Sequence, residues 1–221
     1  MDFDFSPIFE NWRFLASGLG ITVLLSAASA VASIAAGLAI ALLRLYGPAW
    51  LRPVLVFYID SMRAIPVLVV LVWIYFALPI LAGVTLSPFW AALTALTLHI
   101  AAYAAEVIRA GLESVRPGQT RAALALGMSR AQLLRKVLLP QATIRMLPAF
   151  GSILTVAIKD TAIATVIAVP ELMHKAETIA GQSYRPVEVY TVVMVAFFLV
   201  LFPVTRLVDR VYQRYAHLGR S

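Results

Sequence analysis

At 221 residues, 62% of them hydrophobic and 13% charged, the chain is too apolar for a soluble enzyme and has the composition of a membrane protein. With no cysteine, disulfides, thiol nucleophiles and cysteine-based zinc sites are excluded together. The net charge of +7 would raise nucleic acid in a soluble protein, but in a membrane protein the placement of the basic residues carries the information.

The N-terminus is acidic and aromatic (Asp2, Phe3, Asp4, Phe5, Glu10). The apolar run behind it is far longer than a signal peptide's and reads as a retained first span. Five runs reach the roughly 20 apolar residues that a spanning helix needs: residues 14–43, 53–82, 88–108, 147–169 and 189–208. The first two exceed that minimum, which leaves room for tilt or for extension beyond the lipid. Short connectors at Gly47-Pro48 and at Gly83 to Pro88 separate the first three, and longer polar connectors cover 109–146 and 170–188. The first span carries Ser29, Ser33, Gly37 and Ala41 at a four-residue spacing, a smooth face of the kind that lets membrane helices approach closely in a bundle. No internal repeat is long enough to suggest an inverted-repeat secondary transporter, so any two-fold symmetry must come from a second chain.

Lysine and arginine accumulate on the cytoplasmic side of a membrane protein. Connector 44–52 (Arg44, Arg52), the 109–146 loop (Arg109, Arg116, Arg121, Arg130, Arg135, Lys136, Arg145) and the tail (Arg206, Arg210, Arg214, Arg220) hold 13 of the 18 basic residues. The opposite side holds Arg13, Lys175 and Arg185 against Asp2, Asp4, Glu10, Glu171, Glu177 and Glu188. Five spans with the N-terminus outside and the C-terminus inside satisfy every assignment. The expected unit is a single all-α membrane domain over residues 1–221.

The loop 109–146 is punctuated as two short helices. Pro117-Gly118 breaks the chain, Thr120 to Leu126 is helix-forming, and Gly127 is placed as a left-handed cap. Ser129 followed by Gln132 has the spacing of a capping box, and Pro140 is expected to close the second segment. Ala122 and Ala123 allow close backbone approach, with Leu124 and Leu126 as apolar contacts beside them. Two readings stand: a docking element, or an amphipathic helix on anionic headgroups, which Arg130, Arg135 and Lys136 would suit.

Ionisable groups inside a span are costly, about 2.5–3.5 kcal/mol each near the centre on insertion scales, and mark paired or functional positions. Lys159 and Asp160 fall deep in the fourth span. In one reading they line a route, Lys159 drawing a carboxylate and Asp160 an ammonium, with Thr161 adding a hydroxyl. In the other they pair structurally, for instance Asp160 with Arg63. His99, Tyr103 and Glu106 share one face of the third span. That stripe allows binding, although a lone interior histidine needs no ligand and Glu106 can simply pair with Arg109, as Asp60 can with Arg63.

The three histidines, His99, His174 and His217, are too far apart for a local metal motif, and no metal site is expected. A phosphate-binding loop ends in Lys followed by Ser or Thr, whereas Lys136, Lys159 and Lys175 precede Val, Asp and Ala. Neither HExxH nor Gly-x-Ser-x-Gly occurs. The chain is therefore not expected to be an enzyme.

The run AYAAEVIRAGLESVRPGQTRAALALGMSRAQLLRKVLLPQA resembles the signature loop of ATP-binding-cassette importer permeases of the polar amino-acid uptake branch (histidine, glutamine, arginine and glutamate types), through Ala122-Ala123, Gly127 and Leu139-Pro140. Arg63-Ala64-Ile65-Pro66 is similar to that family's Arg-Gly-Thr-Pro segment, and Ile158-Lys159-Asp160-Thr161 to its Lys-Asp-Thr segment. The resemblance spans residues 14–212. It implies a type I importer permease fold: five transmembrane helices with a cytoplasmic coupling helix, in a bacterial inner membrane. The implied role is to couple ATP hydrolysis in a partner subunit to alternating access for polar amino acids or related zwitterionic solutes.

The same resemblance makes Arg121, Ala122, Ala123, Leu124, Leu126 and Gly127 the ATPase-coupling residues, and Arg63, His99, Tyr103, Glu106, Lys159, Asp160 and Thr161 the substrate-path candidates. Its implied partners are cytoplasmic ATPase subunits, an identical or homologous permease, membrane lipid and an extracytoplasmic solute-binding protein. That last partner would meet the mixed-charge connector of Pro170, Glu171, His174, Lys175, Glu177 and Arg185. No cofactor is implied in this chain, ATP and magnesium belonging to the ATPase, and no nucleic acid. Two departures stand out: Arg121 replaces the family's glutamate before the alanine pair, and Ala64-Ile65 replaces Gly-Thr. The alternative function is an ion-coupled secondary transporter or channel, against which stand the missing repeat and the docking loop.

Overall fold

The computed structural model describes residues 3–215; Asp2, His217 and Arg220 lie outside them. A short helix, α1 (Ser6–Glu10), leads into α2 (Trp12–Tyr46), an uninterrupted first span of 35 residues. At about 1.5 Å per residue it outreaches the roughly 30 Å hydrocarbon layer.

The second apolar run is not one straight span. It folds as α3 (Leu51–Ala64) and α4 (Val67–Ala82), which meet at 108°. The cause is local. Proline has no N–H to continue the ladder and forces its predecessor out of the helical region, and both Ile65 (φ −87°, ψ 132°) and Pro66 (φ −59°, ψ 136°) are extended.

Helix α5 (Pro88–Glu113) is the centre of the bundle. Its small residues Ala91, Ala92, Ala95, Ala101, Ala102, Ala104 and Ala105 are all buried, and α2 packs along it. The small-residue face of α2 is what makes that contact. Ser29, Ser33 and Ala41 are fully enclosed, and a Cβ placed on Gly37 would stand 2.6 Å from the Ala104 Cβ and 2.9 Å from the Ala105 nitrogen.

A short connector leads to α6 (Pro117–Ala125), and then to α7 (Arg130–Ile167), whose last turns, Thr161–Ile167, tighten to a 3-10 helix. Pro140, expected to close a short segment, lies inside α7. The turn before it widens over Leu134–Leu138, and the Leu139 N–H reaches back to the Leu134 carbonyl. That extra residue per turn relieves the clash between a proline ring and the preceding carbonyls. The same device recurs in α4, where Trp73–Ala77 widens ahead of Pro79 and Leu78 donates to Trp73.

The connector 170–188, read as a polar loop, contains a further helix, α8 (Leu172–Ser183), before the last span α9 (Pro186–Tyr215). Three apolar clusters stack through the bundle. One lies around Leu25, Leu71, Leu96 and Ile100, one beneath α6 around Ile108, Ala123 and Leu138, and one beneath α8 around Leu172, Ile179 and Val189. The outer surface carries bare Val31, Phe57, Leu81, Met194 and Leu199, which suits lipid or a second membrane subunit and not water.

Candidate functional site

The α6 end is built on local rules. Pro117 occupies the first turn of α6, where a missing N–H costs nothing. Gly127 ends it at φ +74°, and the Gly127 and Met128 N–H groups return to the carbonyls of Leu124 (3.0 Å) and Ala123 (3.1 Å). The capping box then opens α7: the Ser129 N–H donates to Gln132 at 2.9 Å, and the Gln132 N–H to the Ser129 hydroxyl at 3.3 Å. Both caps stand where the sequence placed them. The two helices are therefore joined by a short, fully bonded turn.

Of the six residues assigned to this element, Gly127 forms the cap and the other five divide among three directions. Ala123 is buried against Leu112, Leu133 and Leu138. Arg121 and Leu124, with Pro117 and Thr120, face a cleft between α6 and the helix ends. Ala122 and Leu126 lie on the other side, and Leu126 is 83% exposed. Periodicity alone gives this split, since residues four apart share a face and neighbours turn by about 100°.

A charged network braces this end. Glu106 takes Arg44 from α2 on one oxygen and Arg109 on the other (2.8 and 3.1 Å), while Arg109 also holds Glu113 at 2.6 Å. Arg145 of α7 donates to the Ser114 carbonyl. Glu106 is thus an internal strut linking α2 to α5. The Arg109 contact was visible in the sequence; the Arg44 contact, 62 residues away, was not.

Mid-bundle, the stripe is only partly drawn inward. His99 is buried, and its Nδ1 makes no hydrogen bond among the described residues. Its ring lies 5.4 Å from that of the half-exposed Tyr103, whose hydroxyl donates to the Arg63 carbonyl at 3.3 Å. The Arg63 guanidinium stands 5.7 Å above the Tyr103 ring. Arg63 forms no ion pair with Asp160 or Asp60 among the described residues.

Lys159 is exposed and Asp160 half-buried, at the point where α7 changes to its 3-10 turns. Thr161 does not offer a hydroxyl to a route. It is fully buried and donates to the Ile158 carbonyl at 2.8 Å.

At the α8 end the mixed-charge connector separates into surface and core. Glu171 is fully buried and caps α8, accepting from the N–H groups of Met173 (2.9 Å) and His174 (2.8 Å). Burial pushes its carboxyl above the usual range, while those N–H donors pull it back. Thr22 of α2 completes the unit, donating to Glu171 at 3.3 Å and accepting the Leu172 N–H at 3.1 Å. The Lys175 ammonium bonds the Ser17 hydroxyl and lies 4.5 Å over the Phe14 ring. Glu171 and Lys175 thus belong to the interior, leaving His174, Glu177 and Arg185 nearer the surface.

Sequence reading missed Thr22, although it continues the line of small and hydroxyl residues along α2. Replacing it with valine keeps the shape and strips one buried carboxylate and one buried N–H of a partner, at about 1–3 kcal/mol. Thr22→Val is expected to lower the thermal midpoint of the purified protein by several degrees, and Thr22→Ser to preserve it. Equal midpoints for all three would show that the hydroxyl carries no such weight.

An all-helical bundle with a broken second span, an enclosed central helix and a short capped helix between two long apolar ones is the architecture of a multi-pass membrane protein. Residues 14–217 match the family described as binding-protein-dependent transport system inner membrane component, and the chain belongs to that family. It is similar to the glutamine transport system permease protein GlnP of Escherichia coli (strain K12), with 32% identity over 97% of this chain and 98% of that one. It is also similar to the probable amino-acid ABC transporter permease protein YckA of Bacillus subtilis (strain 168), with 34% identity over 94% and 92%. A crystal structure of an amino acid ABC transporter with histidines superposes at a TM-score of 0.89, with 34% identity over 97% of this chain and 100% of that chain. The MetNI methionine ABC transporter, at 21% identity and a TM-score of 0.80, shares the fold. That fold is the type I importer permease fold.

Proposed function

We propose that this chain is the membrane subunit of an ATP-driven importer for polar amino acids or related zwitterionic solutes, and that α6 transmits ATP-driven closure of partner ATPases to the bundle. The observation that carries the reading is the construction of α6. It exposes Ala122 and Leu126 outward, anchors Ala123 in the core, and is tied at its C-terminal end by a bonded cap that runs directly into the capping box of α7. Rigid-body switching needs an element that moves as a unit. Relatives described as permeases for glutamine, arginine, octopine and L-cystine support the solute class.

In this reading the α6 end faces the cytoplasm and the N-terminus lies outside, following the excess of Lys and Arg at the α6 end. The nucleotide and its magnesium reside in the ATPase. Two permeases, identical or homologous, form the pathway, and a solute-binding protein docks at the α8 end, where His174, Glu177 and Arg185 sit.

The route-lining candidates that remain after the structural assignments are Asp160 and Lys159 and, as a separate group, Arg63, Tyr103 and His99; Glu106 and Thr161 act as braces. Asp160 has no basic partner in an ion pair among the described residues, as a group awaiting a substrate ammonium should. Asp160→Asn is expected to cut ATP-dependent uptake of radiolabelled amino acid into proteoliposomes about tenfold, the scale of one charge-assisted contact of roughly 1.4 kcal/mol. Normal uptake with an unaltered substrate range would remove Asp160 from the route. Uptake driven by a proton or sodium gradient, with no ATPase present, would overturn the importer reading itself.

A further inference from the structure

The cleft beside α6 has a volume of about 840 Å³. Its floor is apolar: Leu42 and Leu45 from the last turns of α2, Leu112 from the end of α5, and Leu134 and Leu138 from the start of α7. All three of these helices are long and apolar enough to cross a membrane, so the cleft lies at the ends of candidate spans.

Its rim has the opposite character. Arg121 and Arg130 line the cleft, both are exposed, and neither guanidinium forms an ion pair or hydrogen bond among the described residues. Glu113, the acidic residue at the cleft, is already held by Arg109 at 2.6 Å. Tyr46 stands at the edge, 55% exposed, as aromatic residues do at headgroup depth.

We infer that this cleft binds an anionic phospholipid, with an acyl chain over the leucine floor and the phosphate between Arg121 and Arg130. Basic pockets between membrane helices on the cytoplasmic side are suited to anionic headgroups, and guanidinium groups match phosphate geometry. The charge pattern favours this occupant over the ATPase, because α6 presents a separate outward face, Ala122 and Leu126, for a protein partner. It also gives the arginine that replaces the family's glutamate a use: Arg121 faces the cleft, and its positive charge turns toward lipid. The assignment rests on the reading that places the α6 end in the cytoplasm.

The test measures lipid retention by native mass spectrometry on the full-length permease, without substrate or transport, so that a failed uptake assay and a failed lipid assay are distinct results. Phosphatidylglycerol and phosphatidylcholine with matched chains are the probes. Wild type is expected to retain phosphatidylglycerol about twenty-five-fold better, since each of the two Arg near an anionic headgroup contributes roughly a fivefold factor. The R121Q/R130Q pair should lose that preference. The R135Q/K136Q pair, which removes the same charge outside the cleft, should keep it. Leu134→Trp fills the floor with the rim charges intact and should reduce retention of both lipids.

Three results would overturn the inference: an unchanged preference in R121Q/R130Q, an equal loss in R135Q/K136Q, or displacement of the lipid by the ATPase with crosslinking of that subunit to Leu134. The last would assign the cleft to the protein partner.

Discussion

Gly37→Leu is expected to abolish the folded bundle. A Cβ alone at this position would lie 2.6 Å from the Ala104 Cβ, 2.9 Å from the Ala105 nitrogen and 3.1 Å from the Ala101 carbonyl oxygen. Two of those three atoms are backbone, so no rotamer change relieves the clash; α2 and α5 must separate. Overpacking a closed interior costs about 1–3 kcal/mol where side chains can yield, and here they cannot. Separation would also open the contact that encloses Ser29, Ser33 and Ala41. We expect Gly37→Leu to give little monodisperse protein in detergent and Gly37→Ala to lower the thermal midpoint measurably. Ala39→Leu, on the exposed side of the same helix, should behave as wild type. A Gly37→Leu protein with a normal midpoint would mean that the α2–α5 contact is looser than its geometry.

That contact was legible from the four-residue spacing of Ser29, Ser33, Gly37 and Ala41, because helical periodicity maps sequence directly onto a face. The Gly127 and Ser129/Gln132 caps were legible for a similar reason: each depends on residues within one turn. What escaped reading depends on more distant or less visible causes. The bend between α3 and α4 hides in an apolar run, since hydropathy does not register that Pro66 lacks an N–H. Pro140 was taken for a stop because the widened turn ahead of it is a hydrogen-bond shift with no side-chain signature. Glu171 and Lys175 looked like solvated charge; their partners, Thr22 and Ser17, lie 149 and 158 residues away in sequence. The same distance effect concealed the Arg44 side of the Glu106 strut and left the pairing of Asp160 with Arg63 open until the fold showed no ion pair between them among the described residues.

Gly127→Val is expected to uncouple ATP hydrolysis from uptake while leaving the bundle intact. The residue adopts φ +74°, and a Cβ there would meet nothing within 4 Å. The penalty is therefore one of backbone conformation, about 1–2 kcal/mol for an ordinary side chain in the left-handed region and more for a β-branched one. That energy is drawn from the turn holding Gly127 on Leu124 and Met128 on Ala123. If the turn opens, α6 pivots about its buried Ala123 and no longer moves as one piece with α7. Uptake into proteoliposomes containing the ATPase should fall on the order of tenfold, the population shift that about 1.4 kcal/mol produces. The thermal midpoint should stay near wild type because the membrane core is untouched. Asparagine tolerates the left-handed region, so Gly127→Asn should recover most of the uptake. This pairing separates backbone strain from loss of a docking contact: if Asn damages transport as much as Val, the space around Gly127 is needed by the ATPase and not by the turn. Undiminished uptake in Gly127→Val would remove the rigid-lever role from α6 altogether.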